Sequence, residues 1–345
     1  MSRRAVERRP RKMFWLGVRI VAFVVSIIVS SETQAEPIKV GVVKLGTSGP
    51  VFIAQEKGFF AAEGLTAEIV LFDAAQPVAV AVASGDVEFG VAPLTAGLYS
   101  LGGQGAVRII GALHRYVPGF RGVAYLASTR AYDAGLKSVK DLAGHSVAVT
   151  QVGSGYHYSL ALVAEKYGID LKNMRVLFLQ SNPNIASALT GNQADAGLLA
   201  TTPATPLIER GEAKLLGWVD DETPWQNGAV FANAKVIHDH PETIEKFLRA
   251  FRQGARLYHD AFTGPDDRPR VGPSAAEIAG IVVKYTGEPV AQAIQGGAYI
   301  DPDARLDVKD VLRQIEWYKA QGMLKPDVNG DQILDMRYVV ALPGQ

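Results

Sequence analysis

Four turns in this chain carry residue types suited to holding an oxyanion. They are Gly46-Thr47-Ser48 ahead of Pro50, the stretch from Pro93 to Thr95, the run Gln151-Val-Gly-Ser154-Gly155-Tyr156, and Thr201-Thr202 ahead of Pro203. Each combines hydroxyls, small residues and backbone N–H groups where a β-type run gives way to a helical one. Helix entrances of this kind bind carboxylate, sulfonate or phosphate oxygens without a formal cation. The same residue types also cap helices for backbone reasons alone, so each turn admits either role.

Other side chains add to these turns or compete with them. Tyr156-His157-Tyr158 clusters aromatic rings at a helix start. The spacing of Tyr156, Leu160 and Val163 allows packing inside a lobe, and a cleft-facing tyrosine or His157 is the alternative. Arg115 and Arg121 flank one candidate crossing, where a guanidinium could clamp an acid bidentately or lie on the surface. Trp225, at a second crossing, could cover a cleft or pack a hinge. Signals for catalysis are poor. His238-Asp-His240 abuts Pro241 without nearby partners, Asp327-Val-Asn-Gly-Asp331 lacks calcium-loop spacing, and Gly102-Gly-Gln-Gly105 follows a helix rather than a strand. No cofactor, metal or catalytic residue is expected.

The elements that must position the turns alternate in type. Ile38–Val43, Thr66–Phe72, Val87–Val91 and Val107–Ala112 read as strands, separated by helical runs at Val51–Glu63, Ala75–Ser84 and Thr95–Leu101. The rhythm restarts with Gly122–Ala127 and a short capped helix in Ser138–Gly144. It continues through His145–Thr150, Ser154–Tyr167, Arg175–Leu179, Ile185–Thr190, Ala194–Leu199, Pro203–Arg210 and Lys214–Val219. This spacing predicts α/β sheets of parallel strands. Ala229–Ile237 reads as one more β-type run, and the helices Pro241–Tyr258, Ala275–Tyr285 and Val308–Gln321 follow. Lobe 1 is expected over 36–122 and 229–345, and lobe 2 over 123–228. The crossings between them, near Pro118–Tyr125 and Asp220–Val230, would form a hinge.

Residues 1–35 read as an export signal, with six basic residues between Arg3 and Lys12, an apolar run from Met13 to Val29, and Thr33-Gln34-Ala35 before the expected cleavage. A retained anchor is the alternative, since the run approaches the shortest membrane spans. No cysteine follows it, which excludes a lipoprotein anchor, and a general secretory route is favoured over a twin-arginine one. Without the signal the chain holds 28 basic and 33 acidic residues, a mildly acidic balance that argues against nucleic acid as partner. The absence of cysteine removes disulfides and thiol chemistry.

The chain resembles the solute-binding proteins of ABC importers, in the group that binds sulfonates, taurine, nitrate and hydroxymethylpyrimidine, the thiamine precursor. The resemblance rests on Ile53-Ala-Gln-Glu-Lys-Gly-Phe-Phe60 with Glu63-Gly-Leu65, Ala83-Ser-Gly-Asp86 with Phe89-Gly-Val-Ala92, and Ser138-Val-Lys-Asp-Leu-Ala-Gly144. Gly191-Asn-Gln-Ala-Asp195, Trp317-Tyr-Lys-Ala-Gln-Gly322 and Asp335-Met-Arg-Tyr338 complete it. It implies the two-lobe periplasmic-binding-protein fold of type II, with two crossover hinge segments and a site between the lobes. It further implies a monomer in the periplasm that docks on an inner-membrane permease with a cytoplasmic ATPase. Taurine and sulfonate binders often carry a Trp after the aspartate of the region Asp195–Pro203. None stands here, which suggests a roomier, less polar pocket. The related pyrimidine-forming enzymes carry a cysteine motif that this chain lacks. The expected ligand is a small organic anion, a sulfonate or carboxylate with an apolar and possible aromatic body. The alternatives are a neutral heterocycle such as a pyrimidine, or an enzyme or sensory protein on the same fold.

Overall fold

Near-continuous apolar runs of valine, leucine, alanine and phenylalanine, buried on both faces, draw short strands into two sheets, and the polar turns between them open helices. The structure is a computed structural model that describes Met1 and residues 35–345. The expected export signal therefore lies, apart from its end residues, outside the described residues. No helix among these is long and apolar enough to cross a membrane.

The chain begins with β1 (Glu36–Val43), α1 (Gly49–Glu56), α2 (Phe59–Ala62), β2 (Leu65–Phe72), α3 (Ala75–Ser84), β3 (Phe89–Pro93), α4 (Ala96–Gly103) and β4 (Val107–Ala112). It then builds β5 (Val123–Ser128), α5 (Thr129–Asp133), β6 (Ser146–Val149), α6 (Gly155–Lys166), β7 (Arg175–Phe178) and α7 (Asn182–Thr190). β8 (Ala196–Ala200), α8 (Thr201–Glu209), β9 (Ala213–Trp218) and α9 (Val219–Glu222) follow. The last part holds β10 (Gly228–Asn233), α10 (Ala234–Asp239), α11 (Pro241–Phe262), α12 (Ala275–Thr286), α13 (Val290–Gln295), α14 (Val308–Ala320) and α15 (Gly330–Ile333).

Three local expectations change. The helix expected over Val51–Glu63 breaks in two because Gly58 adopts a left-handed conformation (φ 72°). The β-type run ending at Ile237 stops at Asn233, whose side-chain oxygen accepts from the Lys235 N–H and starts α10. Ser138–Gly144 forms only a single 3-10 turn, Val139–Asp141, closed by a Ser138–Asp141 capping box.

The sheets are mixed rather than wholly parallel. The first runs β2-β1-β3-β10-β4 and the second β7-β6-β8-β5-β9. β10 is antiparallel to β3 and β4, and β5 is antiparallel to β8 and β9. The reason is topological: each of these strands enters its sheet from the other one, so it runs against the strands built in place. Four strands of one order plus one visitor is thus repeated in both sheets.

The two connecting segments lie side by side. Tyr116 N donates to Trp225 O (2.9 Å), Gly228 N to His114 O (2.9 Å) and Leu113 N to Gly228 O (3.0 Å). Gln226, fully buried, donates to the carbonyls of His114 (3.1 Å) and Gly228 (2.7 Å). Helix α14 braces this ribbon. Asp310 accepts from Gln226 N (2.9 Å), Gln314 donates to Gln226 O (2.7 Å), and Tyr99 of α4 donates to Gln314 (2.8 Å). Trp317 of α14 also packs its ring edge-on to Tyr158 of α6 (5.4 Å), so this helix touches both lobes.

The core of the first lobe sets Phe89 against Phe247 of α11 (3.9 Å between ring centres) and buries Val40, Val42, Phe52 and Phe251. Helices α1 and α11 approach so closely that a Cβ at Gly254 would lie 2.1 Å from the Pro50 carbonyl oxygen. Gly254→Ala is therefore expected to cost about 1–3 kcal/mol through forced separation of the two helices. Thermal unfolding measures this, and an unchanged Tm would refute the contact.

Candidate functional site

Parallel strands point their carboxyl ends the same way, so the helices that follow them start on one side of each sheet. In the first lobe β1, β2 and β3 lead into α1, α3 and α4; in the second, β6, β7 and β8 lead into α6, α7 and α8. These six helix entrances converge on one cavity of about 550 Å³. A crevice at the carboxyl ends of strands is where open α/β sheets bind ligands.

Ten of the side chains and glycines singled out in the sequence line this cavity: Gly46, Thr47, Pro93, Thr95, Gln151, Ser154, Gly155, Tyr156, Thr201 and Thr202. Several of them also cap helices. Thr95 Oγ1 accepts from Leu98 N (3.0 Å) and donates to Gln76 (3.2 Å), while Ser154 Oγ accepts from His157 N (3.3 Å). Thr201 donates to the Gly122 carbonyl (3.1 Å) and also to that of Arg121. Tyr156 donates to Asn182 Oδ1 (3.1 Å), and burial raises its phenol pKa. Thr47 Oγ1 is buried without a partner. The N-caps of α3 and α8 are Ala74 and Ala200, which contribute no capping side chain.

Three of the expected residues stand off the cavity. Ser48 is 1% exposed and turns back to donate to Val43 O (2.8 Å), closing its own turn. Arg121 is exposed and lies over the Trp218 ring (5.8 Å). Trp225 is buried behind Gly155, donating Nε1 to Ser159 Oγ (3.1 Å) and packing between Tyr116 and Tyr158. It supports the cavity floor from beneath. Arg115 faces away too, over the Tyr299 ring (4.7 Å). His157 accepts from Gly153 N (3.2 Å) and packs against Phe178 and Trp317; burial lowers its pKa to about 4.

The floor comes from residues that sequence reasoning passed over. Asn227 Nδ2 reaches both His114 Nε2 (2.8 Å) and Tyr116 Oη (2.7 Å). With the amide donating, His114 is neutral with its proton on Nδ1, in line with a pKa lowered by burial to about 3. Nδ1 itself is buried without a partner. A period-two reading of the first crossing would have found this pair, because 114 and 116 share one side of an extended segment and 115 takes the other. Gln180, Asn182, Tyr258, Phe262 and Glu288 also line the cavity. The last three come from the distant α11 and the α12–α13 turn, and no local signal marks them.

The charged groups on the wall are Lys44, Asp73 and Glu288, with Lys44 and Asp73 exposed. Among the described residues no arginine and no protonated histidine lines the cavity, and its one basic side chain is the exposed Lys44. A bound anion would therefore rest mainly on helix dipoles, N–H groups and hydroxyls, each helix end contributing about 0.3–1 kcal/mol. Among the described residues no group of three or more His, Cys, Asp or Glu is arranged to hold a metal ion.

Residues 47–267 match the family described as "NMT1/THI5 like". The taurine-binding periplasmic protein of Escherichia coli (strain K12) is 26% identical over 326 residues, covering 89% of this chain and 94% of that protein. Among solved structures, the alkanesulfonate-binding protein SsuA from Xanthomonas axonopodis pv. citri bound to MOPS superposes with a TM-score of 0.68 at 18% identity. That match covers 87% of this chain and 98% of that one. The periplasmic nitrate-binding protein NrtA from Synechocystis PCC 6803 gives 0.69 at 12% identity, over 88% and 87%. The architecture is the two-lobe α/β fold of periplasmic binding proteins.

Two buried carboxylates grip the hinge. Asp220 accepts from Gly122 N (2.8 Å) and Asp310 from Gln226 N; burial raises them to about 7 and about 6. Below about pH 7 the folded chain holds protons that the unfolded chain releases, so these groups stabilise at low pH and that stability is lost as pH rises through 6 to 7. His114 and His157, lowered by burial, act oppositely: their contribution is present well above pH 6.5 and is lost as pH falls through 6.5 toward about 3 and about 4. From pH 8 to pH 6.5 the gain from Asp220 and Asp310 is therefore largely offset by the two histidines. Asp220→Asn, which removes part of the gain alone, should make the Tm fall over this interval relative to the natural chain. Equal slopes for the variant and the natural chain would show that Asp220 does not titrate there.

Proposed function

The chain belongs to the NMT1/THI5-like family, and on that premise we propose that it is the extracytoplasmic substrate-binding component of an ABC importer. It captures a small organic anion, a sulfonate or carboxylate with an apolar body, between lobe 1 (36–122 and 229–345) and lobe 2 (123–228). The observation that carries this reading is the convergence of six helix entrances on one cavity whose remaining wall holds Tyr116, Tyr156, Tyr258 and Phe262. Dipoles and hydroxyls suit the acid group and the rings suit its body. A volume of about 550 Å³ leaves room for more than a two-carbon acid. The 26% identity to a taurine-binding protein supports an acid of the sulfonate kind.

Closure of the lobes about the paired crossings would bury the ligand, and the closed face would engage an inner-membrane permease served by a cytoplasmic ATPase. The protein works in the periplasm as a monomer, after cleavage following Ala35. Binding without chemistry requires no acid–base pair poised over the ligand, and the neutral, amide-held His114 suits a binding floor.

A thermal-shift screen across sulfonates, aromatic carboxylates, pyrimidines and nitrate tests the reading. Sulfonates or aromatic carboxylates should raise the Tm, with a ligand at 100 times its Kd contributing about 2.7 kcal/mol. Stabilisation by neutral compounds alone would exclude the anion, and recovery of an altered ligand would make the protein an enzyme. Tyr156→Ala should weaken binding about tenfold or more, near 1.4 kcal/mol. Arg121→Ala should leave affinity unchanged, since its side chain lies on Trp218 outside the cavity.

A further inference from the structure

Glu288 occupies ground that a second acid group on the ligand would need. It stands in the turn between α12 and α13, and its carboxylate faces the cavity. Thr202, in the first turn of α8, donates to Oε2 (2.7 Å), and Thr286 donates to Oε1 (3.1 Å). On the other side, a Cβ placed on Gly46 would come within 3.1 Å of Oε1. One carboxylate thus spans two helix entrances from different lobes, the 3-10 turn ahead of α1 and the start of α8. Both turns carry hydroxyls and N–H groups that suit an oxyanion; the carboxylate is bonded to the second through Thr202 and stands against the first at Gly46.

Among the described residues no Lys or Arg is ion-paired with that carboxylate, and Lys44, exposed on the same cavity wall, makes no salt bridge to it. The nearest basic residue in sequence, Lys284, is paired with Glu56 (2.6 Å), away from the cavity. Hydroxyls rather than a guanidinium or ammonium hold Glu288, so its negative charge is felt by whatever enters beside it. The entrances of α4 and α6 and the neutral floor of His114, Tyr116 and Asn227 carry no such carboxylate.

We propose that Glu288 is a specificity-determining residue: it filters ligands by charge, admitting a monoanion whose far end is neutral or cationic and refusing a dianion. The inference rests on the anion reading above and adds which anions are excluded.

Three compounds of nearly one shape separate the possibilities: benzene-1,4-disulfonamide (neutral), 4-sulfamoylbenzenesulfonate (monoanion) and benzene-1,4-disulfonate (dianion). Calorimetric titration of the natural chain should show the monoanion binding at least about tenfold more tightly than the dianion. Glu288→Gln keeps the shape and one acceptor, and should bring the dianion to within about threefold of the monoanion. Glu288→Ala, at a half-buried turn position, should do the same and guards against a local effect of the new amide; far-UV circular dichroism confirms folding of both. An unmoved monoanion-to-dianion ratio in both variants would overturn the filter alone. Binding of the neutral compound only, or of none of the three, would overturn the organic sulfonate reading and the filter with it.

Discussion

The backbone pairing of residues 113–116 with 225–228 is the constraint on which the rest of this molecule depends. Two sheets are joined at that ribbon, and its hydrogen bonds fix how their strand ends face each other. Gln226 satisfies carbonyls on both of its strands from a fully buried position, and Asp310 and Gln314 of α14 satisfy the Gln226 backbone in turn. Leaving any of these buried groups unpaired would cost about 1–3 kcal/mol, so the ribbon is held as a unit. Its two faces do different work. Gln226 faces the brace, Arg115 faces Tyr299, and His114, Tyr116 and Asn227 face the cavity as its floor.

The ribbon also accounts for the mixed sheets and for the electrostatics of the cleft. A chain that passes between lobes must enter each sheet against its local strands, which is why β5 and β10 are the antiparallel members. The remaining strands stay parallel and aim six helix starts at the space over the floor. Charge in that space is managed by dipoles and hydroxyls more than by formal cations. Burial keeps His114 neutral, and the carboxylate of Glu288 is held by two threonines.

Much of the scaffold was legible from local pattern. α3 and β4 match the expected spans, and most other elements differ at their ends by one to three residues. The turns at Gly46, Pro93, Gln151 and Thr201 could be read because hydroxyls and small residues between a β-type and a helical run mark a helix entrance wherever it lies in space. The pairing of sheets was less legible, since strand direction depends on which sheet a segment joins. Trp225 and Arg121 show the limit at the site. Both are near the cavity in the chain, yet ring packing on Tyr116 and Tyr158 takes one behind the floor, and stacking on Trp218 takes the other outside.

The amino-acid sequence by itself determined the alternation of elements, the positions of the helix entrances and the lack of thiol and cofactor motifs. These follow from periodicity and from backbone chemistry within a few residues, which needs no knowledge of distant partners. Only the tertiary structure decided which groups meet across the cleft. Asn227 reaches His114 across 113 positions and Thr202 reaches Glu288 across 86, and such contacts depend on how two separately built sheets are brought together. Whether a hydroxyl caps a helix, holds a neighbouring carboxylate or stays free for a ligand is settled there, because each hydroxyl bonds to whatever packing has set within reach.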